Sequence, residues 1–300
     1  QVYTCQTAST DQGMFCPHPR YQYVDQHTAI HLLSLPSNKA AGMRLKRLFL
    51  VSCSKDTNKR GKYQIFFVFS RFSCIFATKV RNMMKDCILI LSGGLDSTTL
   101  LYDYKDRIAL AISFDYGSNH NAKEIPFARL HCERLGIKHI VIPLEFMGQY
   151  FRSSLLSGDD AIPEGHYADE NMKSTVVPFR NGIMLAVATG MAESNNLQYV
   201  MMANHGGDHT IYPDCRPEFV DAFDQAAHAG TYNGVRLLSP YCNMTKGQIA
   251  ARGKQLGIDY AETWSCYRGG DKHCGKCGTC VERKEALAAA GIDDPTEYED

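Results

Sequence analysis

The first 83 residues contain no glutamate and only three aspartates, against twelve lysines and arginines. The 300-residue chain has one tryptophan and no apolar run of the roughly 20 residues that a membrane helix needs. The longest candidate, YQIFFVFSRFSCIFA at 63–77, is interrupted by Arg71. No signal-peptide core followed by a small-residue cleavage site is present either, although the basic, acid-poor start overlaps the composition of transit peptides. These absences argue against a membrane protein and against a secreted one.

The formal charge is zero only because two unlike parts cancel. Residues 1–83 carry +9. The remainder holds twenty basic and twenty-nine acidic residues and carries −9. We therefore place a boundary at Met84 and read residues 1–83 as an extension foreign to the fold, such that a chain starting at Met84 keeps full activity. Residues 84–260 form an α/β domain and residues 261–300 a small C-terminal cysteine subdomain. Of the twelve cysteines, four lie in the extension, four stand singly (Cys87, Cys132, Cys215, Cys242) and four are clustered near the end. Single cysteines behave as small buried hydrophobes, and the distribution suits a reducing, cytoplasmic setting better than a disulfide framework.

From Met84 strands and helices alternate. DCILILS (86–92), RIALAISF (107–114), KHIVIPL (138–144), LQYVMMAN (197–204) and VRLLSP (235–240) read as strands. Helices are predicted over 97–105, 121–136, 180–196, 217–230, 245–257 and 279–291, with Pro126 expected to kink the second or mark its first turn. The polar stretch 153–177 reads as a mobile loop. The alternation predicts a doubly wound parallel sheet with ligands outside the carboxyl ends of its strands. Three such ends are polar and contain glycine: SGGLDS (92–97), SFDYG (113–117) and ANHGGD (203–208).

The first of these is the most informative. Gly93 and Gly94 let the main chain approach a ligand, and Ser97 and Thr98 stand at the start of a helix, where free N–H groups favour an anion. No lysine follows the glycines, so this is not a GxxxxGK[ST] loop, nor is it GxGxxG. Asp96 would repel a phosphate unless a divalent cation such as Mg²⁺ lies between them. A strand followed by S-G-G-x-D-S resembles the pyrophosphate loop of the ATP-pyrophosphatase superfamily, whose members cut ATP between the α and β phosphates. The resemblance implies that the run Leu91, Ser92, Gly93, Gly94, Leu95, Asp96, Ser97, Thr98, Thr99, Leu100 and Leu101 forms the ATP site.

Cys266, Cys274, Cys277 and Cys280 follow one another with gaps of seven, two and two residues. Two overlapping C-x-x-C steps with Gly275 and Gly278 bring three thiolates together, and Cys266 closes a tetrahedron. Four sulfurs with no open position describe a structural Zn²⁺ site; an iron–sulfur cluster and a redox C-x-x-C are the rivals. His273 reads as a surface residue beside this site.

Together, SGGLDSTT (92–99), FDYG (114–117), VPFRN (177–181), YPDCRPEF (212–219) and the pattern from Cys266 resemble the 7-cyano-7-deazaguanine synthase family, from about Asp86 to Gly291. The resemblance implies a Rossmann-like fold of the adenine nucleotide alpha hydrolase type and a homodimer. It implies a reaction of 7-carboxy-7-deazaguanine, ammonium and ATP that yields 7-cyano-7-deazaguanine (preQ0), AMP and pyrophosphate. It also implies one structural Zn²⁺ and Mg²⁺ accompanying ATP. Asp96, Arg180, Asn181, Asp208, Asp214 and Arg216 are the expected catalytic residues: Asp96 toward Mg²⁺, Arg180 and Arg216 toward phosphate or the substrate carboxylate, Asp208 or Asp214 toward the guanine-like edge. The sequence departs from the family after FDYG, where Asn119 stands in place of an arginine; Arg180 is the expected substitute.

Two rivals stand beside this reading. A tRNA-thiolating relative needs catalytic cysteines and binds RNA, whereas the clustered cysteines are consumed by metal and the −9 charge disfavours phosphate-backbone binding. A zinc-containing nucleic-acid module without catalysis would use the local basic residues Arg268, Lys272, Lys276, Arg283 and Lys284.

Overall fold

The computed structural model describes residues 85–156, 162–166 and 170–299, together with the backbone of four short strands before residue 70. The chain divides into two units, Gln1–Phe76 and Ala77–Asp300. In the first, Gln22–Tyr23 pairs antiparallel with Ala29–Ile30, and Val51–Lys55 with Tyr63–Phe67. The side chains of the 63–77 run and of the first four cysteines lie outside the described residues.

The second unit is built on a five-stranded, fully parallel sheet. Its strands are β1 (Cys87–Ile90), β2 (Ile108–Asp115), β3 (Lys138–Pro143), β4 (Tyr199–Met201) and β5 (Arg236–Leu238). They run in the order β3-β2-β1-β4-β5. The chain reverses its direction of winding between β1 and β4, which places the ligand crevice of a doubly wound sheet at their carboxyl ends. The helices are α1 (Leu95–Asp103), α2 (Asn121–Leu135), α3 (Glu145–Tyr150), α4 (Arg180–Ser194), α5 (Pro217–Gly230), α6 (Lys246–Leu256) and α7 (Gly278–Ala289).

Strand β1 shows why a continuous apolar run was needed. Cys87, Ile88 and Leu89 are all fully buried, because helices cover both faces of the sheet. Alternation sends Cys87, Leu89 and Leu91 to one face, with Leu100 and Leu101 of α1, Ile249 of α6 and Leu287 of α7. Ile88 faces the other side, with Leu185 and Ala188 of α4 and Val200 of β4. Leu89→Ala would open a void between β1 and the α1, α6 and α7 helices at a cost of about 2–5 kcal/mol.

Several boundaries differ from the sequence reading. Helix α1 starts at Leu95 rather than Ser97, with Gly94 as its cap residue. Pro126 lies inside α2 without ending it, and α2 still stops at Gly136, which takes the left-handed conformation expected of a helix C-terminus. Strand β4 is only three residues long, because its chain turns off into the site: Asn204 donates to the Cys215 carbonyl at 2.6 Å. Within the supposed loop, Glu170–Thr175 forms a 3-10 helix, and α3 had no counterpart in the sequence reading. Residues 157–161 and 167–169 of that loop lie outside the described residues. No described helix is long and apolar enough to cross a membrane.

Candidate active site

A cavity opens at the carboxyl edge of the sheet. Leu91, Ser92, Gly94, Leu95, Asp96 and Ser97 line it from the first strand end, Tyr116, His120 and Glu124 from the second, and Asn204, His205 and Asp208 from the fourth. Arg180 and Asn181 of α4, Lys246 of α6, and Trp264, Ser265, Tyr267 and Thr279 from the segment around the clustered cysteines also line it. Of the expected ATP run, Gly93, Thr98, Thr99, Leu100 and Leu101 do not line the cavity. Leu100 and Leu101 are fully buried in the core, and Thr99 Oγ1 donates to the Leu95 carbonyl at 2.8 Å.

The glycine loop is held open by its own serines. Ser97 Oγ accepts from the N–H groups of Ser92 and Gly93, each at 3.2 Å, and Ser92 Oγ accepts from Gly94 N–H at 3.1 Å. No side chain caps α1, so its first turn presents free donors at the cavity edge. Gly93 has φ +102°, and a Cβ there would collide with the Glu124 carbonyl oxygen. Only glycine permits this approach of α2, and the approach sets the Glu124 side chain beside Gly94.

Beside the loop lies an anionic cluster. Lys246 Nζ stands 3.2 Å from Asp96 Oδ2 and 2.8 Å from Glu282 Oε2. His205 Nε2 lies 3.9, 3.7 and 3.8 Å from carboxylate oxygens of Asp96, Asp208 and Glu282. His205 Nδ1 accepts from Gly207 N–H at 3.1 Å, which puts the proton of the neutral imidazole on Nε2, aimed at those carboxylates. Burial works against the Lys246 ammonium, but Asp96 and Glu282 outweigh it and raise its pKa. One lysine thus faces three carboxylates. Asp96 Oδ1 is buried without a hydrogen-bond partner, as is Thr98 Oγ1. An orphaned carboxylate oxygen and a surplus of negative charge fit a divalent cation with oxygen ligands.

A second cluster is cationic and aromatic. Arg180 Nη1 donates to Tyr116 Oη at 3.1 Å, and its guanidinium lies 5.7 Å and 5.9 Å from the Tyr116 and Tyr212 rings. Burial opposes its charge, yet the phenol oxygens of Tyr116, Tyr267 and Tyr212 and the Asp214 carboxylate raise its pKa. His120, buried against Tyr267 with ring centroids 5.4 Å apart, is pushed down to about 3 by burial and by Arg180. Burial pushes Glu124 up to about 8, while Arg180 and Lys246 pull the other way.

The remaining expected residues sit elsewhere. Asp214 is turned away from the cavity: its Oδ2 accepts from Asn181 N–H at 2.8 Å and its Oδ1 from Asn181 Nδ2 at 3.3 Å, pinning the start of α4. Asn181 lines the cavity from that anchor. Arg216 is exposed outside the lining, and its Nε donates to the His209 carbonyl at 2.8 Å. Asn119 reaches Ser154 rather than the cavity. Sequence reasoning missed Glu124, His205, Lys246, Trp264 and Glu282.

The four sulfurs of Cys266, Cys274, Cys277 and Cys280 lie within 4.8 Å of one another and are all buried. Cys274 N–H and Cys277 N–H point at Cys266 Sγ and Cys274 Sγ, each at 3.3 Å, as around bound thiolates. This donor set fits one tetrahedral zinc with no open position. His273, expected on the surface, is buried, accepts from Ser265 N–H at 3.1 Å and stacks 4.1 Å from Trp264, where it buttresses the ligand loop. Arg283 is also fully buried and donates to Tyr260, Thr263, Ser265 and Thr296. It bolts α7 to the Trp264 segment, and α7 in turn delivers Thr279 and Glu282 to the site.

The family model described as "Queuosine biosynthesis protein QueC" matches residues 86–291. A 7-cyano-7-deazaguanine synthase from Porphyromonas gingivalis is 64% identical over 215 residues, covering 72% of this chain and 98% of its own. Proteins of the same name from Desulfotalea psychrophila and Rhizobium etli are 53% and 49% identical over 217 residues, covering 72% and 71% of this chain and 99% and 92% of theirs.

Proposed function

Because the chain belongs to the queuosine biosynthesis protein QueC family, we propose that it makes 7-cyano-7-deazaguanine from 7-carboxy-7-deazaguanine, ammonia and ATP. The observation that carries this reading is the extent of the match, which includes the whole cavity wall and all four clustered cysteines. A carboxylate resists ammonia because its oxide is a poor leaving group. Attack of that oxygen on the α-phosphorus of ATP releases pyrophosphate and makes it part of a phosphate leaving group, and ammonia then yields an amide and AMP. A second adenylation, on the amide oxygen, lets AMP depart with formation of the nitrile. No covalent enzyme nucleophile is required. Catalysis is positioning and charge stabilisation.

In this reading the Ser92–Gly94 loop and the uncapped start of α1 hold the β and γ phosphates, with Ser97 and Thr98 beside them. Asp96 and Asp208 hold Mg²⁺, which supplies charge neutralisation when bound, and Lys246 offsets part of their charge. Arg180, flanked by Tyr116 and Tyr212, binds the substrate carboxylate by forked hydrogen bonds. Asp214 positions Asn181, and Arg216 serves outside the reacting centre. The cysteine cluster holds zinc as a structural element. Four of the five basic residues near it are engaged within the protein, which disfavours a nucleic-acid module: Arg268 pairs with Glu164 at 2.6 Å, Lys272 with Glu297 at 3.4 Å, Lys284 Nζ donates to the Gly275 carbonyl at 3.1 Å, and Arg283 is buried.

Incubation of the purified protein with ATP, ammonium and the carboxy-deazaguanine is expected to yield AMP, pyrophosphate and a nitrile product identified by mass, with one zinc per chain by metal analysis. Formation of ADP, or cleavage independent of the acid, would refute the assignment.

A further inference from the structure

The proposed reaction has a proton balance that the assigned residues do not meet. Nitrogen enters as ammonium with four hydrogens and ends in a nitrile with none. Both oxygens of the acid leave on AMP as phosphate oxygens, which become basic only once each C–O bond has broken. A proton acceptor must therefore stand at the reacting nitrogen. Arg180 and Lys246 are held protonated and can only donate. Asp96 and Asp208 face the Lys246 and His205 cluster, and the Nδ1 lone pair of His205 is taken by Gly207.

We infer that Glu124 accepts the protons shed by the ammonia nitrogen and is a catalytic residue of this cavity. The inference rests on the nitrile-forming reading above. Glu124 lines the cavity, its side chain is 14% exposed, and Gly93 exists as glycine at the point where the Glu124 backbone presses on the loop. The groups facing it are His120 from its own helix, with Nε2 3.9 Å away, Arg180 from α4 and Lys246 from α6. Two nearby cations favour its ionised form and burial opposes it. The balance near 8 lets the carboxylate take a proton and give it up again around neutral pH. His120, pushed down to about 3, is too weak a base for the task.

The steps balance. Glu124 first takes a proton from ammonium. The nitrogen lone pair then forms the C–N bond with the adenylated acid, Glu124 takes an N–H proton, and the C–O bond breaks with its electron pair leaving on AMP. After the second adenylation Glu124 takes the two remaining N–H protons in turn, and the second C–O bond breaks onto AMP as the C≡N bond forms. Each proton passes to solvent before the next is taken.

Acid activation involves no N–H proton, so the two halves of the reaction separate the outcomes. In Glu124→Gln, acid-dependent ATP–pyrophosphate exchange without ammonia is expected within threefold of wild type. Nitrile formation is expected to fall at least 100-fold. The rising limb of the wild-type kcat profile, ending near pH 8 at fixed free ammonia, is expected to vanish, and Glu124→Asp is expected to restore part of the rate. Nitrile formation within threefold of wild type in Glu124→Gln would overturn the inference. So would parallel loss of exchange and nitrile formation in both variants, which would mark a structural residue. A wild-type protein without acid-dependent exchange would overturn the functional reading and this inference with it.

Discussion

The two charged clusters in the cavity are built in opposite ways. In one, Lys246 is surrounded by Asp96, Asp208 and Glu282, with His205 pointing a proton inward. In the other, Arg180 sits among Tyr116, Tyr212 and Tyr267, and the Asp214 carboxylate that also favours its charge is committed to Asn181. The first has more negative charge than it can neutralise, and the second has a cation set chiefly among phenols. Under the proposed function, the contrast would let one crevice sort two anions: a polyphosphate accompanied by metal would go where acids await a cation, and a lone carboxylate on a flat ring where a fork and aromatic faces await it. Both cations are the first residues of their helices, α6 and α4, where the helix dipole disfavours positive charge. They hold those positions because each of these helices starts near the ligand-bearing edge of the sheet.

The largest expected effect comes from breaking the acidic cluster. Lys246→Ala leaves three carboxylates facing one another and should destabilise the fold by about 3–5 kcal/mol, as for other broken buried pairs. It should also lower kcat/KM for ATP by roughly 100-fold, a loss of about 2.7 kcal/mol in transition-state binding. Steady-state kinetics and urea unfolding check both, and a variant with wild-type values in each would dissolve the first half of the comparison. Arg180→Lys comes next. It keeps the charge but removes the fork, so KM for the acid should rise about tenfold while KM for ATP stays within threefold. Arg216→Ala, outside the cavity, should change either constant by less than about threefold, within the range of a surface substitution.

A separate effect is a pH dependence of stability set between the clusters, at Glu124. Its folded pKa, about 8, lies above the ordinary 4.5, so the folded protein keeps a proton that the unfolded chain releases between these values. The stability this contributes is present below about pH 4.5 and is lost as pH rises through about 8. Melting curves of Glu124→Gln should therefore gain on wild type from pH 5 to pH 8, by roughly 2–4 °C for each kcal/mol removed. An unchanged difference across that range would show that the carboxyl ionises normally.

The glycine loop and the cysteine cluster were legible because each is contiguous and its residue types serve one purpose. The five-stranded parallel sheet, though not its strand order, followed from the alternation of strands and helices. The rest of the site is assembled from single residues on separate elements, and each of those has an ordinary local reading. Glu124 sits four residues after His120 on a helix with many exposed positions and looks like part of a solvated face. Lys246 follows the capping threonine of α6 and reads as surface charge, although its conflict with the helix dipole was a usable signal. Glu282 is two residues past Cys280 and owes its place to the way α7 packs beside the clustered cysteines. Asp214 and Arg216 were misplaced for the converse reason: YPDCRPEF is a dense motif, but its acid ties down a helix and its arginine faces outward.

Trp264 is the single indole in the chain; it lines the cavity, and its backbone N–H donates to the Gly93 carbonyl at 3.2 Å. Any nucleotide that reshapes the glycine loop must alter the surroundings of that one fluorophore. The protein thus carries a built-in optical gauge of occupancy, readable by emission without a label and uncontaminated by other tryptophans.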